Sequence, residues 1–273
     1  VKAKSPEHQS ILQILPRACS DIESFCQNLH QSAHINLDYP KTFHNFLHVT
    51  AVVGSAVSLI EAAIKRTDPL NLKVDLDTFN LRHQTNFALE DLLHISKIAF
   101  YVHDTGNIYQ VENGQIDCLP QYTAKGAETR SQDIAQFLVN KNSYLNQLTP
   151  TDSKAVSVLI NYLISSTTYE ASDKDQPFAT FVRVCDQIGN GFFQNDQQRL
   201  DSHLGLIYEN KAETPSWQFD PEKVINFPHH RFKELVPSEE VRLQVKSIWN
   251  QPELTLYTSD EAKELLPSPP DQS

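Results

Sequence analysis

Glycine is scarce in this chain, with seven residues in 273 against fifteen prolines. That balance disfavours a β-sandwich, whose many tight turns consume glycine, and favours long helices. Thiolates are equally thin. The four cysteines are Cys19, Cys26, Cys118 and Cys185. Cys19 and Cys26 lie about 10 Å apart along one expected helix, beyond disulfide reach. The set forms neither a disulfide framework nor a thiolate zinc cluster, so a reducing cytoplasm is the expected setting. Positive charge is in deficit: 23 Lys and Arg oppose 34 Asp and Glu, for a net charge of −11. This argues against a general nucleic-acid binder or a membrane-surface protein. No uninterrupted apolar run approaches the ~18 residues of a membrane helix, and Val1–Pro6 shows no signal-peptide core. A small anionic substrate is still compatible, because a bound metal inverts the local field.

What is present is helical periodicity. Apolar residues at helical spacing predict helices over 7–32, 42–65, 88–102, 123–140, 150–164, 178–193, 197–210 and 238–249. Asp38-Tyr39-Pro40 and Asp173–Gln176 read as turn and surface loop, and residues 67–86 as a polar loop with at most one helical turn. The polar, glycine-containing stretch from Asn107 to Tyr122 suits a lid or specificity element. The tail from Pro267 is expected to be disordered. With no convincing strand pair, no repeat and no linker, the reading is one all-α domain.

The chemistry centres on Ile98–Gly106, an apolar helical run that carries His103 and Asp104 side by side and stops at Gly106. Imidazole and carboxylate are the ligands a divalent metal takes without a thiolate. Neighbours on a helix point about 100° apart, so both reach one ion only where the helix ends. Gly106 is expected to provide that ending in a left-handed conformation. At least two further ligands must come from elsewhere. His44 and His48 stand four apart, one turn along an expected helix, so that one can bind metal while the other meets substrate. The plain alternative is a pair of surface or core histidines. Asp186 lies in an apolar helical run, which is costly unless it is salt-bridged or metal-bound. Glu128 opens an amphipathic helix, where most glutamates face water.

The order Phe43-His44-Asn45-x-x-His48, His103-Asp104, Glu128-Thr129-Arg130-Ser131, Asp186-Gln187-Ile188-Gly189 resembles the HD superfamily of metal-dependent phosphohydrolases. Phe43 replaces that family's usual tyrosine, and Thr167 matches a threonine near the end of a following helix. The likeness spans roughly residues 39–190. It implies an HD-type helical bundle as the fold of the single domain, and the ends of the chain carry no motif of that family. Along the chain the expected division is an N-terminal helical extension over 1–38, a metal-binding core over 39–195, C-terminal helices over 196–266 packed on the core, and a tail over 267–273.

Carried over by residue, the resemblance implies His48, His103, Asp104 and Asp186 as ligands of one divalent ion (Mn, Mg, Ni, Fe or Zn). It makes His44 the proton donor to the leaving oxygen, and places Glu128 near the attacking water. Asn45, Lys125 and Arg130 are the expected substrate contacts, with Arg183 a further basic candidate. The extra histidines of di-iron members are missing: Lys125, Ala127, Ser165 and Thr168 stand where imidazoles would be expected. One metal is therefore favoured over two, and a mixed-valence oxygenase would need more ligands than the chain offers. The implied activity is hydrolysis of a phosphate monoester or diester, nucleotides included. The rival is a catalytically degenerate HD-fold module that binds a ligand or regulates. His94, His203, His229 and His230 read as surface histidines.

Overall fold

Helix α1 (Pro6–Asn36) buries Ile11, Leu15, Ala18, Ile22 and Cys26, a stripe at helical spacing that lies on α4 (Leu89–Val102). Pro16 sits inside α1 without ending it; the stripe continues on both sides and outweighs one missing N–H bond. The computed structural model describes residues 6–36, 44–167, 177–193, 198, 202, 205, 220–250 and 255–265. The expected turn at 38–40, the loop at 173–176, Thr168, most of the helix at 197–210 with His203, and the tail from 267 lie outside the described residues.

Helix α2 (Phe46–Ile64) packs along α4 and forms the centre of the molecule. By length and composition α2 could cross a membrane, with a mean hydropathy of 1.7 in its most apolar window. Thr50, Ser55, Ser58 and Glu61 interrupt the run, and ten of its residues, His48 and Ser55 among them, are buried against other helices. That is the behaviour of a core helix. Helices α5 (Ala127–Lys141) and α6 (Pro150–Ser165) pack as a pair, with α6 also against α4. Thr149 caps α6 through the Asp152 amide, as the Thr-Pro-Thr-Asp run predicts.

Two stretches differ from the sequence reading. Residues expected to be a loop form α3 (Leu72–His83), which buries only Leu72, Leu76 and Phe79. A stripe one residue wide is lost among polar neighbours in any averaging window; the missed signal is Asp68, whose carboxylate accepts from the Leu72 and Lys73 amides at 2.8 and 2.9 Å. The expected loop at 107–122 holds an antiparallel hairpin, β1 (Tyr109–Glu112) with β2 (Gln115–Cys118). Asn113 (φ 50) and Gly114 (φ 74) make its two-residue turn, and Asn-Gly is the strongest short-range hairpin signal a sequence can carry. It is the sole sheet among the described residues, and the architecture is all-α and single-domain.

Helix α7 (Ala179–Arg183) runs directly into a π-helical turn (Val184–Gly189) and a last α turn (Asn190–Phe192). The chain then adds α8 (Pro221–Ile225), α9 (Phe227–Leu235), α10 (Glu239–Trp249) and α11 (Ser259–Leu265). One hydrophobic cluster reaches from Ile11 in α1 to Trp249 in α10, whose indole N–H donates to the Ser55 carbonyl of α2 at 3.1 Å. Where α2 meets the π-helical turn, a β-carbon on Gly189 would overlap the Ser55 hydroxyl and come within 2.6 Å of Ser55 Cβ. Gly189→Ala should therefore cost about 1–3 kcal/mol in chemical denaturation. Ser55→Gly should recover part of that loss, a non-additivity that a double-mutant cycle reads directly.

Half-buried His94 faces the opposite pH trend from an exposed histidine. Burial, helped by Lys97 one turn away, lowers its pKa below the ordinary value. The unfolded chain takes its proton near pH 6.5 and the folded chain resists it, so the unfolded state binds more protons as pH falls through that range. His94 thus subtracts stability on the acid side. His94→Gln should lose less melting temperature than the parent between pH 7.5 and 5.5, and the comparison isolates His94 because the remaining histidines are common to both.

Candidate metal centre

Asn45 is the N-cap of α2, not a residue within it; its side-chain oxygen accepts from the Leu47 and His48 amides at 2.9 and 3.1 Å. The expectation that His44 and His48 share a helical face is therefore corrected. His44 stands one residue before the cap, in the bend that leads into the helix, while His48 is in the first turn. The two rings still meet edge-on, 5.6 Å between centroids. His48 is buried, His44 half-buried.

On α4 the last residue is Val102, and His103 is the C-cap. Thr105 closes the end by donating its hydroxyl to the Val102 carbonyl at 2.7 Å, and the chain narrows into a short 3₁₀ turn, Thr105–Asn107. Gly106 does not take the left-handed conformation expected of it. Its lack of a side chain serves a close approach instead: a β-carbon there would overlap the Ala127 carbonyl oxygen and lie 2.6 Å from the Ser131 amide nitrogen. Ser131 Oγ accepts from the Gly106 amide at 2.9 Å and donates to the His103 carbonyl at 2.6 Å. The serine of the Glu-x-x-Ser segment thus holds the backbone under the His-Asp doublet.

His103 Nδ1 lies 2.7 Å from the Phe100 carbonyl, which can only accept, so Nδ1 carries a proton and the neutral form of the ring has its lone pair on Nε2. Asp186 projects from the π-helical turn of α7, a wider turn of the kind found where a helix is shaped for a site. Four atoms then converge from three elements. His48 Nε2 is 3.2 Å from Asp104 Oδ2 and 3.1 Å from Asp186 Oδ1; His103 Nε2 is 3.1 and 3.3 Å from the same two oxygens. His48, His103 and Asp186 offer ligand atoms that all lie within 4.8 Å of one another. The carboxylates are 11% and 13% exposed and the imidazoles 1%, so the group opens to solvent on its acidic side.

Electrostatics bind this group tightly. Burial alone would lower both imidazoles, yet Asp104 and Asp186 overrule it: His48 is raised, and His103 well above the ordinary histidine value. Burial would raise both carboxylates, but the facing imidazoles pull Asp186 down and, with His44, take Asp104 well below the usual range. These groups fit a divalent ion. An octahedral ion bonded at about 2.1 Å sets neighbouring ligand atoms about 3.0 Å apart, close to all four nitrogen–oxygen separations. Buried His103 Nε2 and Asp104 Oδ2 face each other at 3.1 Å without an aligned hydrogen bond to any described residue. Such atoms normally cost about 1–3 kcal/mol each, a cost that a shared cation between them removes.

The other expected site residues are less central. Glu128 sits in the first turn of α5, half-buried, with no hydrogen bond or ion pair among the described residues. Lys125 is exposed in the turn before α5. Arg130 is committed to the backbone, donating to the carbonyls of Gly106 at 2.5 Å and of Lys125 and Thr123 at 2.7 Å. Its three donors hold the loop in place. Arg183 is buried on α7, one turn before Asp186. Ala127 and Ser165, where further imidazoles would be expected, are buried beside Gly106 and exposed, respectively.

Three residues not singled out from the sequence also shape the site. Asn107 donates to the Asp104 carbonyl at 3.0 Å and lies 3.4 Å from Asp104 Oδ1. Arg231 of α9 donates to the side chain of Gln187, next to Asp186, at 2.7 Å. Tyr122 Oη meets His44 Nδ1 at 2.9 Å. Asn107, three residues past Asp104, was findable by its nearness to the doublet; Tyr122 and Arg231 are brought in only by folding.

Compared with protein-family models, curated proteins and solved structures, the chain matches none of them. What stands is a helical protein with a buried His-His-Asp cluster able to hold a metal ion, compatible with an HD-type site.

Proposed function

We propose that the protein is a metal-dependent phosphohydrolase that cleaves a phosphate monoester or diester, nucleotides included. The observation that carries this reading is the convergence of His48, His103, Asp104 and Asp186 with four nitrogen–oxygen separations of 3.1–3.3 Å. Two neutral imidazoles and two carboxylates would hold one divalent ion (Mn, Mg, Ni, Fe or Zn) and leave it room for further ligands. When bound, such an ion acidifies water to a nucleophile at neutral pH and polarises a phosphoryl oxygen. The protein's own part is positional. His103 is held in the ligating tautomer by Phe100, Asp104 is steadied by Asn107, and His48 is placed by the Asn45 cap. His44, half-buried and edge-on to the proposed ligand His48, would give a proton to the departing oxygen, and its nearness to the cluster supports that role. Glu128 keeps its proposed place near the attacking water through the family pattern alone.

The test is the purified full chain with Mn²⁺, Mg²⁺, Ni²⁺, Fe²⁺ or Zn²⁺ against a panel of phosphate monoesters and diesters. Metal-dependent release from at least one member is expected; binding of metal with release from none would favour the non-catalytic, ligand-binding module. His44→Ala should retain the metal, measured by elemental analysis, and lose about 100-fold or more in turnover, the usual worth of a general acid.

A further inference from the structure

We infer that Tyr122 is the positioning residue for His44, fixing which nitrogen of that ring faces the substrate. The inference rests on the reading of His44 as proton donor. His44 precedes the cap of α2, so no helical backbone fixes its side chain, and it lies far in sequence from the hydroxyl that meets its Nδ1 at 2.9 Å. The chain just after Tyr122 is fixed by two hydrogen bonds. The next residue, Thr123, donates its amide to the Asn107 carbonyl at 3.0 Å, and its carbonyl accepts from Arg130 at 2.7 Å. Asn107 in turn bonds the Asp104 carbonyl, and Arg130 bonds the Gly106 carbonyl. A closed circuit results: Asp104 to Asn107, to Thr123 and Tyr122, to His44, and through the Asn45 cap to His48. The proposed acid is thereby tied to the same frame that holds the metal-ligand set, and the hairpin segment acts as a brace between them.

A hydroxyl suits this place because it can both accept and donate. In the imidazolium, Nδ1–H donates to the Tyr122 oxygen and Nε2–H points to the leaving oxygen. As the phosphorus–oxygen bond breaks, its electron pair stays on the leaving oxygen and takes the Nε2 proton. The neutral ring keeps Nδ1–H, so the contact to Tyr122 persists until water returns the Nε2 proton. Loss of this contact removes the one hold that acts on Nδ1 through the Tyr122 hydroxyl, and with it the hydrogen bond that selects the Nδ1–H form of the neutral ring.

Tyr122→Phe removes the hydroxyl alone. In the full chain it should leave metal content unchanged and reduce kcat about 10–100-fold on an alkyl phosphoester, whose leaving group needs a proton, with KM within about threefold. On a p-nitrophenyl ester, whose leaving group departs as the anion, the loss should stay within about threefold. Added to His44→Ala, the substitution should cost nothing more. The ¹⁵N resonance of His44 Nδ1 in the metal-free protein should also move, while the His103 ring resonances stay. Equal losses on both esters, an additive loss beyond His44→Ala, or an unmoved Nδ1 resonance would overturn the role. If the parent protein cleaves neither ester, the phosphohydrolase reading fails, and the resonance still decides whether Tyr122 holds His44.

Discussion

His103→Ala is expected to lower divalent-metal affinity by well over 100-fold, so that the protein elutes from a metal-loaded desalting step with a small fraction of an equivalent per chain. Outer partners of a metal ligand typically account for 10–100-fold. His103 is expected to exceed this, because its Nε2 faces both carboxylates at 3.1 and 3.3 Å and would be a direct ligand. Its removal also leaves Asp104 and Asp186 with one imidazole between them, which raises the electrostatic cost of the apo state and offsets only a small part of the loss of a direct ligand. Phosphoester hydrolysis should fall by the same factor or more. Asp104→Asn gives the matched test: shape is conserved and the Asn107 contact to the 104 carbonyl survives, yet one negative charge is lost from the ligand set. Metal content near that of the parent in both variants, with helical content intact by circular dichroism, would mean that the doublet is not the metal centre.

The second large effect is expected at Gly106. Gly106→Ala should destabilise the fold by about 3 kcal/mol and lower the melting temperature by roughly 6–12 °C. The new methyl would run into the Ala127 carbonyl and the Ser131 amide, both backbone atoms of α5. Backbone cannot rotate away as a long side chain can, and Ser131 and Arg130 already clamp this junction through the His103 and Gly106 carbonyls. Metal affinity should fall together with stability, because α5 and the doublet must separate to admit the methyl. Gly114→Ala is the contrast. That glycine has a φ of 74° but open space where a β-carbon would go, so only the left-handed backbone penalty of about 1–2 kcal/mol applies. If Gly106→Ala melts within about 2 °C of the parent, the close approach of α5 to the doublet is not a constraint on the fold.

The helices and the ligand types were written locally, and local physics suffices to read them. The 3.6-residue stripes of α1, α2, α4 and α6 depend only on neighbours one turn away, and the His103-Asp104 doublet at the end of an apolar run marks two candidate metal ligands by residue type. Two further signals are local: the Asp68 carboxylate that accepts from the first amides of α3, and the Asn113-Gly114 turn of the hairpin. Other features could be decided only by packing. Gly106 was legible as a glycine at a helix end, but whether it serves a left-handed turn or a close contact depends on how near α5 comes. Arg130 reads as a phosphate contact until three carbonyls from the folded loop occupy its donors. The widened turn over Val184–Gly189 that carries Asp186 reads as ordinary helix in the sequence, and the contact between Tyr122 and His44 joins residues 78 apart, which leaves no periodic trace. His103 and Asp104 were therefore identifiable as candidate ligands from the sequence, while the distances that bring them together with His48 and Asp186 arise where α2, α4 and the π-helical turn after α7 meet in the tertiary structure.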